Sequence, residues 1–223
     1  MIHGFLLIDK PKDWTSHDVV GYLRKITGEK RIGHAGTLDP FATGLLIVGV
    51  GREATKRLDE FKRLTKTYLA TIRLGAVSDT DDKTGIITQC LKPAGDISLN
   101  KVTETVKKFV GKQKQIPSMY SAKKVKGKKL YELARKGIEI ERTPVDIEIF
   151  DITIEQFDFP LLTLTVSCSC GTYIRTLAHD IGEALGVGAY CEELQRTRIG
   201  TFDVRNASSL KTSPQGELIL FSL

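Results

Sequence analysis

The chain has 223 residues and 24.7 kDa, with 41% hydrophobic and 27% charged residues, an ordinary globular composition that excludes disordered, collagen-like and disulfide-scaffold classes. At this length a protein buries roughly 70% of its unfolded surface, so a full core can form. Lys and Arg number 33 against 27 Asp and Glu, and the resulting charge of +6 points to a polyanionic partner without locating its site.

The N-terminal stretch from Met1 to Lys10 reads as a first strand rather than a signal peptide, having no basic leader and no small-residue cleavage site. Thr15 caps a helix with Asp18 at its third position, Val19, Val20, Leu23 and Ile26 on one face, and Gly28 as its stop. Residues 29–43 read as a loop punctuated by Gly33, Gly36 and Pro40. A short apolar strand over 45–50 leads into a helix over 53–64 with Ala54, Leu58 and Phe61 on its core face. Residues 66–74 alternate Tyr68, Ala70, Ile72 and Leu74 against Thr67, Leu69, Thr71 and Arg73, the pattern of a strand with unequal faces.

Residues 75–85 form an acidic loop containing Asp79, Asp81 and Asp82, open to two readings, a shaped wall of a cleft or a solvated turn. Leu99, Val102, Val106 and Phe109 lie at helical spacing before Gly111. Lys123, Lys124, Lys126, Lys128 and Lys129 make the densest charge cluster, between Tyr120 and Tyr131, and suit phosphate contacts or a solvated loop; a short helix follows, stopping near Gly137. Ile147, Ile149, Leu162, Leu164, Val166, Cys168 and Cys170 belong to alternating strands. Gly171 and Thr172 open a helix whose stripe is Ile174, Leu177, Ala178, Ile181 and Leu185, with Arg175 off that stripe.

No apolar run approaches the ~18 residues of a membrane-spanning helix. Cys90, Cys168, Cys170 and Cys191 lack C-x-x-C pairing or metal-ligand spacing and read as reduced, mostly buried thiols of a cytoplasmic protein. The interspersed elements have no βαβ rhythm and no G-x-G-x-x-G turn, so the expected class is α+β with a mixed sheet. The expected organisation is one catalytic domain over 1–205 and a short appendage over 206–223.

Gly33-His34-Ala35-Gly36-Thr37-Leu38-Asp39-Pro40 places a carboxylate in a glycine-rich loop before proline, which biases Asp39 toward extended backbone. Two readings stay open from the residues: a turn cap, or a lone carboxylate for nucleophilic attack or proton abstraction. A cation would help keep such a carboxylate ionised, and Arg175 is one candidate among many. Tyr68 offers a ring that can stack on a base, or a half-buried strand tyrosine.

Four blocks carry a resemblance that goes further: Asp9-Lys10-Pro11 with Thr15-Ser16 and Asp18-Val19-Val20; residues 33–40 with Ala42-Thr43-Gly44; Lys66-Thr67-Tyr68; and Gly171-Thr172-Tyr173-Ile174-Arg175-Thr176-Leu177. Lesser matches include Tyr120-Ser121-Ala122-Lys123 and Leu194-Gln195-Arg196-Thr197. Together they resemble the bacterial tRNA pseudouridine synthase B family, which isomerises uridine-55 in the T loop of tRNA. The resemblance implies the pseudouridine synthase fold, a mixed, mainly antiparallel sheet flanked by helices with a central active-site cleft, and it implies no cofactor and no metal. It implies catalysis by Asp39, an ion-pair partner in Arg175, stacking and proton transfer by Tyr68, a base pocket lined by Tyr173 and Leu194, and a role for His34 beside the displaced nucleotides. It leaves open whether Asp39 attacks the base or ribose or abstracts a sugar proton. Asp9-Lys10-Pro11 is expected to be structural support. The partner expected is the T arm of tRNA, bound by a monomer without obligatory protein partners. A C-terminal RNA-binding module of the family is expected to be missing, which would place more of the grip on the lysine cluster. An RNA-folding factor, or a synthase acting on another uridine, is the alternative.

Overall fold

In a computed structural model, residues 3–90, 97–120, 124–125, 127–134, 137–138, 140–210 and 220–221 are described. The chain runs β1 (Gly4–Lys10), α1 (Ser16–Thr27), β2 (Ile32–His34), β3 (Thr43–Val50), α2 (Arg52–Lys56), α3 (Leu58–Lys62) and β4 (Lys66–Leu74). Next come β5 (Ala76–Ser78), β6 (Ile87–Gln89), α4 (Leu99–Lys107), β7 (Gly111–Gln115), β8 (Lys124–Val125), β9 (Lys128–Lys129) and α5 (Leu130–Ala134). The remainder is β10 (Val145–Asp158), β11 (Leu161–Cys168), α6 (Ile174–Leu185), β12 (Ala189–Ile199), β13 (Phe202–Asp203), a 3₁₀ turn, β14 (Ser208–Ser209) and β15 (Leu220–Phe221). The class is α+β, and the chain forms two compact units, Met1–Tyr68 with Leu194–Leu223, and Leu69–Glu193.

In the first unit β3 is central. It pairs antiparallel with β1 and β2 and parallel with β12. Both faces of β3 are covered, which explains its unbroken apolar run. Leu46, Val48 and Val50 pack with Leu6, Ile8 and Ile32 against Val19, Val20 and Leu23 of α1. On the opposite face Leu45 and Ile47 pack with Phe5 against Ala54, Leu58 and Phe61 of α2 and α3. Gly49 lets α2 approach closely there, because a Cβ would lie a tight 3.1 Å from the Ala54 backbone. The far edge of β1 is paired by β14 at Ile8 and Asp9 and by β15 at Phe5 and Leu6.

The sequence expectation for α1 holds at both ends: Thr15 and Asp18 form a reciprocal capping box, and Gly28 closes the helix with φ of 71°. Three details differ. Ile26 is 44% exposed, because the stripe facing the sheet ends at Leu23. Residues 29–43 are not all loop, since Ile32–His34 pairs with β3 as β2. The helix expected over 53–64 is two helices joined at Arg57, whose N–H donates to Ala54 O three residues back instead of continuing the α-helical ladder.

In the second unit β11 lies between β4 and β10, and β7 pairs with β10. Ala70, Ile72, Leu74, Leu162, Leu164, Val166 and Cys168 are buried at alternate strand positions, and Ile174, Leu177, Ala178, Ile181 and Leu185 of α6 are buried at helical spacing. Leu99 is 52% exposed rather than a core residue, because α4 buries Val102, Thr105 and Val106. Cys168 and Cys191 are buried, whereas Cys90 is half-buried and Cys170 is exposed beyond the end of β11. Lys123 and Lys126 lie outside the described residues, as do the side chains of Lys124, Lys128 and Lys129. Among the described residues no helix is long and apolar enough to cross a membrane.

Candidate active site

Of the six residues expected around the base, the first unit carries His34, Asp39, Tyr68 and Leu194, and the second carries Tyr173 and Arg175. Asp39 is half-buried on the loop between β2 and β3. That loop is tied down residue by residue. The Ser16 hydroxyl accepts the Leu38 N–H at 2.9 Å, and the Ala42 N–H returns to Asp39 O at 3.1 Å. Pro40 O accepts from the Asp13 N–H at 2.8 Å and from Lys10 Nζ at 3.3 Å. Asp39 is therefore flanked on both sides by residues whose backbone is held, and a short polar tether at the N-terminus of α1 supplies one of the holds.

Lys10 is fully buried, and its ammonium also donates to Trp14 O at 2.6 Å and Pro11 O at 2.9 Å. Burial pulls its pKa down to about 8, and the nearby Asp39 carboxylate partly offsets that pull. The structural role expected for Asp9-Lys10-Pro11 thus has a concrete form, a cation beneath the carbonyl that follows Asp39. His34 stands on β2 at the start of the same loop, its ring edge-to-face with His17 at 5.4 Å. Burial holds its pKa down at about 4, with the His17 charge acting in the same direction, so the ring is neutral at pH 7.

Tyr68 is half-buried in β4, and its strand is anchored just upstream. Lys66, 5% exposed, donates to Lys62 O and Leu64 O and so caps the end of α3. The Thr197 hydroxyl donates to Thr67 O at 3.2 Å. Leu194, 7% exposed, lies on β12 three residues before Thr197.

In the second unit Tyr173 is the N-cap of α6 and is clamped by Gln115, which accepts the Tyr173 N–H at 2.8 Å and donates to Tyr173 O at 3.0 Å. Arg175 is off the apolar stripe yet 3% exposed. Its guanidinium donates to Thr80 O and Tyr120 O, both at 2.9 Å, and lies 3.4 Å from Asp82 Oδ2. Asp82 is itself buried and accepts from the Thr80 hydroxyl and the Thr84 N–H, both at 2.9 Å. The acidic segment over 79–85 is therefore no solvated turn: its backbone is bonded to Cys191 of β12, and Asp81 adopts φ of 60°. Burial raises the pKa of Asp81 despite the neighbouring His179, 3.4 Å away.

Sequence reasoning left Lys10, Ser16, Asp82, Gln115 and Arg196 without individual roles. Gln115 carries no pattern that sets it apart. Lys10, Ser16 and Arg196 sit within the blocks that carry the resemblance, and Asp82 stands in the acidic loop; those were their signals. In chemical terms the first unit presents a half-buried carboxylate on an immobilised loop, and the second a buried guanidinium with a carboxylate of its own.

This chain has relatives among known proteins both in fold and in sequence. Its fold matches a chain of a Cbf5–Nop10–Gar1 complex with a TM-score of 0.73 and 30% identity, covering 93% of this chain and 52% of that one. Residues 24–174 match the N-terminal domain of the TruB family of pseudouridylate synthases, and residues 175–213 match the tRNA pseudouridylate synthase B C-terminal domain. The chain is 49% identical over 211 residues to tRNA pseudouridine synthase B of Geobacter sulfurreducens, covering 93% of this chain and 68% of the relative. It is 48% identical over 206 residues to the enzyme of that name from Protochlamydia amoebophila, covering 92% and 77%. The chain belongs to the TruB family of pseudouridylate synthases. It spans about half the length of three of the solved chains it matches.

Proposed function

We propose that this protein converts uridine-55 in the T loop of tRNA to pseudouridine, acting as a cytoplasmic monomer without protein partners. The observation that carries the proposal is the immobilised Asp39 loop, in a chain nearly half identical to curated tRNA pseudouridine synthases B over nine-tenths of its length.

Asp39 attacks the uridine or its ribose, or removes a sugar proton, and the N-glycosidic bond breaks. The freed uracil turns and rejoins the sugar through C5, whose proton then departs. Arg175 serves as the cation that keeps Asp39 ionised, and Tyr68 stacks on the base with its hydroxyl placed for proton transfer. Tyr173 and Leu194 line the base pocket. The target must first leave its stack, at a cost of a few kcal/mol. A neutral His34 supports this step by packing beside displaced nucleotides without adding a buried charge. The lysines at 123, 124, 126, 128 and 129 contribute phosphate contacts.

The test is incubation of the purified chain with an unmodified tRNA transcript, with modified positions mapped. One pseudouridine in the T loop is expected, and Asp39→Asn abolishes it while tRNA affinity stays within a few fold. Full modification by Asp39→Asn would remove Asp39 from the mechanism. Strict dependence on added proteins or guide RNA would overturn the stand-alone reading.

A further inference from the structure

Lys10, Gly44 and Arg196 form one row across three neighbouring strands: Lys10 of β1 and Arg196 of β12 each lie opposite Gly44 of β3. Residues directly opposite in a sheet project to the same face, so two cations flank a position with no side chain. That position admits only glycine. Its φ is 103°, and a Cβ there would lie 2.3 Å from Arg196 O.

Arg196 is 2% exposed, and its hydrogen bonds go to backbone carbonyls rather than to a carboxylate. Its Nε donates to Leu45 O at 2.8 Å and its Nη2 to Gly36 O at 3.2 Å. These acceptors lie on either side of Asp39 in the chain, Gly36 near the start of its loop and Leu45 in β3 just past the end of it. Burying a guanidinium is costly unless its donors are used, and its planar fork can satisfy two separated carbonyls at once, which an ammonium on a flexible stem does poorly. Lys10 reaches the same loop from the opposite strand at Pro40 O.

We infer that Arg196 is a positioning residue for the pseudouridylation reaction, a fork that ties Gly36 in the loop to Leu45 in β3, on either side of Asp39 in the chain. It acts through the loop and touches no reacting atom. The inference deepens the proposed function and rests on Asp39 being the reacting group. A displacement of about 1 Å at such a group can cost on the order of a hundredfold in rate, so a brace on the loop should appear in turnover more than in binding.

The experiment compares wild type with Arg196→Lys, which keeps the buried cation and loses the fork; urea midpoints establish that both fold. Two readouts are taken: single-turnover pseudouridine formation with tRNA affinity, and hydrogen exchange of the backbone amides. Arg196→Lys is expected to slow the single-turnover step about 10- to 100-fold with affinity within about threefold. Exchange should accelerate at Leu38 and Ala42 while Leu23 in α1 keeps its protection. Unchanged loop exchange would overturn the inference, as would a loosened loop with turnover intact. A joint fall of stability, affinity and rate would also overturn it, marking Arg196 as merely structural. If the wild type forms no pseudouridine, the proposed function fails, and the exchange comparison still decides whether Arg196 holds the loop.

Discussion

His34 and Lys10 show how burial around Asp39 sets charge before any substrate arrives. An ordinary histidine titrates near 6.5, whereas His34 is held down at about 4, so between those values the unfolded chain binds a proton that the folded chain refuses. Stability contributed by the neutral ring is therefore complete above pH 6.5 and is lost as pH falls toward 4. The urea midpoint of the wild type should fall across that window, and His34→Gln should flatten that part of the profile; an identical slope in both proteins would refute the assignment. Burial shifts Lys10 in the same direction, down to about 8, so the ammonium is still charged at pH 7 but at a cost that burial imposes. The motif letters identify both residues, but what they do is hidden from them. Lys10 and Arg196 bond to main-chain carbonyls brought close by folding, and no side-chain spacing records which carbonyl will arrive.

Elements with local causes were the legible ones. The α1 ends could be read because Thr15, Asp18 and Gly28 act on their own neighbours within one turn. β2 could not, because Ile32-Gly33-His34 becomes a strand only by pairing with Val50, Gly49 and Val48 of β3. The same distinction explains Arg175: its departure from the apolar stripe was visible, while the buried acidic loop it packs against comes from nearly a hundred residues earlier in the chain. α1 also links local stability to the candidate site, since Ser16 at its first position holds Leu38 beside Asp39. Thr15→Ala removes one side of the capping box and is expected to cost about 1 kcal/mol of unfolding free energy in urea titrations. Loss of the cap also frays the turn that carries Ser16, so Leu38 should lose exchange protection in the same variant. A stability change without any response at Leu38 would separate the cap from the loop.

The net charge of the whole molecule is not shared between its units. Residues 1–68 and 194–223 contain 16 Lys and Arg against 10 Asp and Glu, and residues 69–193 contain 17 against 17, so the first unit carries all of the +6. The lysine run at 123–129 is thus balanced by acids elsewhere in its own unit, although it is the densest cluster in the sequence. In the first unit Lys56, Arg57 and Lys62 are occupied by Glu53, Glu60 and Asp59, and Lys10, Lys66 and Arg196 by carbonyls. Arg31 and Arg52 are exposed and brought together by the bond from the Gly51 N–H to Arg31 O. Polyanion affinity falls with salt by roughly 0.7 to 0.9 logarithmic units per phosphate contact, so each arginine that meets a phosphate should leave that signature. Reversing Arg31 and Arg52 to Glu should weaken tRNA binding and flatten its salt dependence by about one unit per lost contact, with turnover at saturating tRNA preserved. Reversing Lys112 and Lys114, exposed on β7 of the neutral unit, serves as the comparison and should have the smaller effect. Equal losses from the two pairs would mean that net charge does not direct the RNA, and that close contacts alone determine where it binds.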